Sequence, residues 1–261
     1  MVKKILSIAL WVITAAALIV LFIFAREDYL RTPLKSIQLI TDTDTGFVRK
    51  GALHDELGQL CANKKVGTVN MTDIQKHLEG NPWIEDNASY IDLNGNLNVS
   101  FKEYEPQFRV FGKDGRSVYI TDDGVVIPSS PIYTPYVLIA SGNFQLRNSE
   151  GSYKLSDTIV DRNLVNALHW YKAIKDNTFI RNCVGQLYCN SRNQFELTVK
   201  GLDSRVIVGD TCNAADKLKR LEIFMQQRLD SPETHLFKSI NLNYKNQIVC
   251  TKASISITKI K

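Results

Sequence analysis

The chain has 261 residues, of which 44% are hydrophobic and 23% charged, with five cysteines and a formal net charge of +5. An apolar fraction of this size excludes a wholly disordered chain, which lacks the surface to offset its ordering entropy, and 14 Gly with 7 Pro exclude a collagen-like one. The length admits one large or two small domains.

From Ile5 to Ala25 no residue is charged. At about 1.5 Å per helical residue this run reaches across the hydrocarbon core of a bilayer, so 5–25 is read as a transmembrane helix between a tail, 1–4, and a linker, 26–33. A cleaved signal peptide would carry an apolar region of only about 7–15 residues ending in a small-x-small site. Here the run is longer, and Ile23 stands where a small side chain is needed. Lys3 and Lys4 precede the run, whereas Arg26 is followed at once by Glu27 and Asp28, so the positive-inside bias predicts a cytoplasmic N-terminus. Removing Lys3 and Lys4 from the +5 leaves +3, spread without a basic block. Nucleic-acid binding therefore has no clustered footprint.

Residues 34–105 read as a first module. Ile37, Leu39 and Thr41 alternate as a strand, and a polar turn runs from Asp42 to Gly46. Leu53, Leu57, Leu60 and Cys61 then form a helical stripe. Thr72-Asp73-Ile74-Gln75 fits a capping box opening a second helix, which Gly80 and Pro82 stop. Two strands follow, Trp83 to Leu93 and Leu97 to Glu105, joined through Asn94-Gly95, a pair that tolerates the positive φ angles of a tight hairpin. The order is β-α-α-β-β.

Residues 106–252 read as a second module, α+β, with helices on a largely antiparallel sheet. Asp122-Asp123-Gly124 lacks the spacing of a calcium loop and is a hairpin turn. A helix is predicted from Asp161, its N-cap, to Asp176, with Leu164, Leu168, Tyr171 and Ile174 on one face. Strands are predicted at Gly185–Cys189, Phe195–Val199 and Arg205–Val208. A further helix follows from Ala214 to Leu229, with Leu218, Leu221, Met225 and Leu229 inward and Pro232 barring its extension. At the end Ile240, Leu242, Tyr244, Ile248 and Cys250 share one parity, and Asn241, Asn243, Lys245 and Gln247 the other. This is read as one half-buried strand. At a sheet edge its free N–H and C=O groups would accept a strand from another chain, unless Lys245 and the asparagines protect it.

Residues for chemistry are sparse. Cys183 and Cys189 in one extended strand would lie about 20 Å apart, beyond the ~6 Å Cα separation of a disulfide, although a turn at Gly185 would bring them together. Buried free thiols and a single bridge both stay open. No Cys-x-x-Cys is present, and His54, His77, His169 and His235 contain no i, i+4 pair, so neither a metal site nor a cofactor is expected. An extracytoplasmic enzyme acting on the cell wall would have to assemble Cys189 or Cys183 with His169 by folding.

Together the motifs carry a family resemblance. An anchor followed by β-α-α-β-β, with Asn81-Pro82-Trp83-Ile84 opening a strand and Glu103-Tyr104-Glu105-Pro106 closing the hairpin, resembles the POTRA domain of the bacterial division protein family FtsQ/DivIB. Tyr119 to Pro128, the apolar stretch Tyr136 to Gly142, Gly209-Asp210, Lys217-Leu218 with Leu221, and Ile240-Asn241-Leu242-Asn243-Tyr244 resemble the family's C-terminal domain. The resemblance implies a non-enzymatic divisome scaffold in the inner membrane, its bulk periplasmic, at the septum. It further implies that the terminal strands recruit an FtsB-like partner, and through it an FtsL-like one, by strand addition. The POTRA module and the transmembrane helix would meet other division proteins. Tyr244 matches the family's contact tyrosine, and Leu242, Asn243, Lys245 and Ile248 are its implied neighbours. The family's preceding arginine is replaced by Asn243, and its later aromatic by Lys252 or a neighbour. Ser254 to Ile257, in the tail 253–261, would lengthen the last strand or cover its edge.

Overall fold

The computed structural model describes residues 2–41, 43, 45–156, 161–228 and 237–252, with side chains from residue 9 onward. Asp42 of the predicted turn, Leu229, Pro232, His235 and the tail 253–261 lie outside the described residues.

Helix α1 spans Val2–Arg31, longer than the apolar run that predicts it. The large apolar side chains from Leu10 to Phe24 are each 50–74% exposed, so none is buried among the described residues. An uncovered helix of this length and composition fits a single-pass membrane anchor. The segment 26–33, expected as a linker, is instead helical through Arg31. It contains no helix breaker before Pro33, and Arg31 pairs with Glu27 one turn back at 3.2 Å.

The chain divides into two compact units, Met1–Glu103 and Tyr104–Lys261. In the first, α1 is followed by β1 (Ser36–Thr41), α2 (Lys50–Cys61), a 3-10 turn at Val66–Thr68, α3 (Met71–Glu79), β2 (Ile84–Ile91) and β3 (Asn96–Glu103). The sheet order is β1-β3-β2, with β1 parallel and β2 antiparallel to β3. Leu97, Val99 and Phe101 of the central strand bury against Leu53 and Leu57 of α2 and Ile74 and Leu78 of α3.

Two local expectations are corrected. Helix α3 is capped by Asn70, whose side chain accepts from the Thr72 N–H at 3.1 Å, so Thr72 is already inside the helix. In the β2–β3 hairpin only Gly95 takes a positive φ, +84°. Asp92 accepts from the N–H groups of Asn94 and Asn96, each at 2.9 Å, which makes a longer loop than a two-residue turn. At the end of β3 the buried Glu103 carboxylate accepts from the Thr45 hydroxyl and from the Phe47 N–H at 3.0 Å, closing the loop after β1 onto the sheet.

The second unit contains β4 (Pro106–Phe111), β5 (Ser117–Thr121), β6 (Val125–Pro128), β7 (Leu138–Gly142), β8 (Tyr153–Lys154), α4 (Arg162–Asp176), α5 (Thr178–Cys183) and β9 (Val184–Cys189). It continues through β10 (Phe195–Val199), β11 (Arg205–Gly209), α6 (Ala214–Arg228), β12 (Phe237–Asn241) and β13 (Val249–Lys252). Its sheet order is β13-β12-β11-β10-β9-β7-β4-β5-β6-β8. Only β4–β7, β7–β9 and β11–β12 pair in parallel, so the sheet is mostly antiparallel, as expected. Parallel neighbours need a long crossover. Helix α6 makes it between β11 and β12, and α4 with α5 between β7 and β9, which brings the helices onto the sheet. Asp161 caps α4 as predicted, accepting from Asn163 N–H at 2.9 Å. Trp170, Leu218, Leu221 and Met225 from the helices meet Phe108, Leu187, Leu197 and Val206 from the sheet in one core.

Candidate partner-binding site

The predicted last strand is a hairpin. β12 ends at Asn241, β13 starts at Val249, and the two pair antiparallel with Ile240 opposite Cys250 and Asn241 opposite Val249. These paired numbers share parity, so apolar alternation continues in step across the turn, and the pattern cannot distinguish a hairpin from one long strand. Asn246, at φ +57°, supplies the left-handed residue of the turn. Among the described residues β13 is the edge of the sheet, paired to β12 alone.

The five residues expected at the partner surface separate accordingly. Leu242 is fully buried, and its N–H donates to the Ile207 carbonyl at 2.9 Å, so it belongs to the core and is corrected as a contact residue. Ile248 is half-buried against the same core. Asn243, Tyr244 and Lys245 are exposed in the turn, Tyr244 by 49%. Beside them on the edge, Val249 is 38% exposed.

The turn is held from below. Gly209 ends β11 at φ +70°, and a Cβ there would stand 2.0 Å from Asn243 Oδ1, so only glycine leaves room for that amide. From α6, Arg220 donates to the carbonyls of Leu242 at 3.0 Å, Tyr244 at 2.9 Å and Gln247 at 2.8 Å. Its Nε also bonds Asp216 one turn earlier, at 3.0 Å. A planar guanidinium with several donors suits this role. Lys217, on the same helix, is buried and donates to the Val208 and Asp210 carbonyls and to the Asp210 carboxylate, at 2.8, 2.9 and 2.9 Å. That bond from Lys217 holds the Asp210 carboxyl below the ordinary carboxylate range. Asn243, Lys245 and Arg220 line a depression of about 410 Å³ together with Asp210 and Cys212.

Sequence reasoning did not single out Arg220. Its spacing from Asp216 is a visible i, i+4 pair, but the carbonyls it serves lie more than twenty residues away in the chain. Position 243 is Asn, and the guanidinium at this turn comes from α6.

All five cysteines are free. Cys183 ends α5 and Cys189 ends β9, with an uninterrupted strand between them, so the turn that would bridge them does not form. Burial pushes the Cys189 thiol up to about 11, and its sulfur bonds the Asn190 carbonyl at 3.8 Å. His169 lies exposed on α4 and makes no hydrogen bond to Cys189. A protonated, buried sulfur is a poor nucleophile. Cys212 is the exposed thiol. At neutral pH a maleimide is expected to label it ahead of the others, and Cys212→Ser to remove that fast phase. Equal fast labelling of Cys61 or Cys189 would contradict their burial.

A family model described as FtsQ/DivIB, C-terminal related, matches residues 105–251, more than half of the chain. The chain belongs to the FtsQ/DivIB family. The FtsQ/DivIB match runs from the start of β4 into β13 and so takes in both the sheet and its exposed terminal edge. Family members are non-enzymatic cell-division proteins, which places this chain in cell division. No curated protein matches the chain.

Proposed function

We propose that this FtsQ/DivIB-family protein is a non-enzymatic divisome scaffold, held in the inner membrane by α1 with its N-terminus in the cytoplasm. Its first unit, with the β-α-α-β-β order of a POTRA domain, docks other division proteins. Its second unit recruits an FtsB-like partner, and with it an FtsL-like one, to the septum. The reading rests on one observation: β13 is a sheet edge adjoining an exposed turn that carries Tyr244. An added strand would pair with the backbone of β13, while Tyr244, Asn243, Lys245 and Val249 select its side chains. The four-residue edge is short, so most affinity would come from side-chain anchors, among which aromatic residues dominate.

Tyr244→Glu replaces an exposed aromatic with a charge and leaves the core intact. Co-purification from membranes is expected to return small coiled-coil membrane proteins with the wild type. The variant is expected to retain at least about tenfold less of them, the loss of one anchor of ~2 kcal/mol. Equal retention by wild type and variant would remove Tyr244 from the interface.

A further inference from the structure

The first unit carries a feature that the terminal edge of the second unit does not involve. A depression of about 680 Å³ opens beside the end of α1, lined by Lys35, His54, Asn63, Lys64 and Lys65 among other residues, and no carboxylate among the described residues lines it. Lys35, Lys64 and Lys65 make no side-chain ion pair among the described residues, although ion pairs are common elsewhere on this chain. Three ammonium groups around one concavity favour an anion, and phosphate is one that lysine binds as a point charge.

Its height above the membrane is set by the fold. Arg31 stands about 9 Å beyond Ala25 along a straight helix, and the polar headgroup layer on each side of a bilayer is about 5–8 Å deep. The chain then turns at once. Pro33 bridges to Lys65, the Val66 N–H donates to the Thr32 carbonyl at 2.9 Å, and the Leu34 N–H to the Lys64 carbonyl at 3.2 Å. Leu30 packs so closely on Gly67 that an added Cβ would stand 3.0 Å from it. The Tyr29 hydroxyl donates to the Asp92 carbonyl at 3.1 Å. The loop carrying Lys64 and Lys65 is thus fastened to the last turn of the anchor, within the length of a lysine side chain from the headgroup layer.

We infer that this pocket binds the phosphate of an anionic lipid headgroup in the leaflet where α1 ends, fixing the first unit against the membrane surface. The inference needs α1 to be the membrane anchor but does not depend on which partners bind elsewhere.

The test uses the full chain in nanodiscs of phosphatidylcholine containing a minority of phosphatidylglycerol, the latter carrying a photoreactive headgroup. Cross-links are expected on peptides containing residues 33–37 and 61–65. Each lysine near an anionic surface contributes about a fivefold preference, so Lys35→Gln, Lys64→Gln and Lys65→Gln combined are expected to lower that labelling at least about tenfold. The corresponding triple arginine variant should retain it, which separates lost charge from lost folding. Equal labelling of wild type and the glutamine variant overturns the inference. So does protection of the three lysines from an amine reagent by inorganic phosphate in neutral nanodiscs, at the level that anionic nanodiscs give, because the ligand is then a free anion. Failure of the chain to enter nanodiscs at all would instead refute the anchor.

Discussion

Gly142→Ala is expected to destabilise the second unit by about 3 kcal/mol or more, through backbone strain and overpacking together. Gly142 ends β7 at φ +113°, where an added Cβ would stand 2.0 Å from the Cys189 carbonyl oxygen and 3.0 Å from the Tyr188 ring. That carbonyl already accepts the Asn143 N–H at 2.8 Å, and β7 pairs with β9 at this register, so neither strand yields without losing hydrogen bonds. Gly151→Ala is the control: a Cβ there meets nothing within 4 Å, and a change within about 0.5 kcal/mol is expected. Denaturant unfolding followed through the buried Trp170, with Trp11 and Trp83 replaced by Phe, reads this unit by itself. Equal midpoints for the two alanine variants would mean that β7 and β9 do not meet as described.

Arg220→Ala is expected to free the turn that presents Tyr244. Three carbonyls and the Asp216 carboxylate share this guanidinium, whose side chain is 17% exposed, and charge-assisted hydrogen bonds contribute about 1.5–3 kcal/mol. Amide exchange in residues 242–247 should therefore accelerate about ten- to a hundredfold. Affinity for the partner at this edge should fall about tenfold, because the turn must then be ordered on binding. Arg220→Lys keeps the charge but loses the planar fork, and is expected to recover only part of either effect. If exchange accelerated while affinity stayed unchanged, the turn would not belong to the interface. If neither changed, the clamp would not hold the turn.

Alternation and helical stripes made most elements legible. Leu97, Val99 and Phe101 announced the central strand of the first unit, and Asp161 with Leu164, Tyr171 and Ile174 announced α4. The two caps show where such reading stops. Asp161 is identifiable because it directly precedes a periodic stripe, whereas the capping-box pattern points to Thr72 and only the backbone shows that Asn70 is the cap. The site was legible in part. Its exposed tyrosine stands in the pattern, but Leu242 shares the parity of Tyr244 and yet is buried, because its N–H still bonds Ile207 of β11 and the chain turns outward only after it.

What the sequence determined by itself is what depends on neighbours along the chain: an uncharged run long enough to cross a bilayer, two α+β modules after it, and the order of motifs that marks the family. What only the tertiary structure decided is what depends on residues meeting across distance. Arg220 serves carbonyls of residues 242–247, Gly209 makes room for Asn243, Gly142 meets Cys189, and the Lys64–Lys65 loop fastens to the end of α1. Hydrophobic periodicity records which side of an element is dry. It carries no information on which distant backbone atoms a long polar side chain will find, because those pairings exist only once the elements have packed.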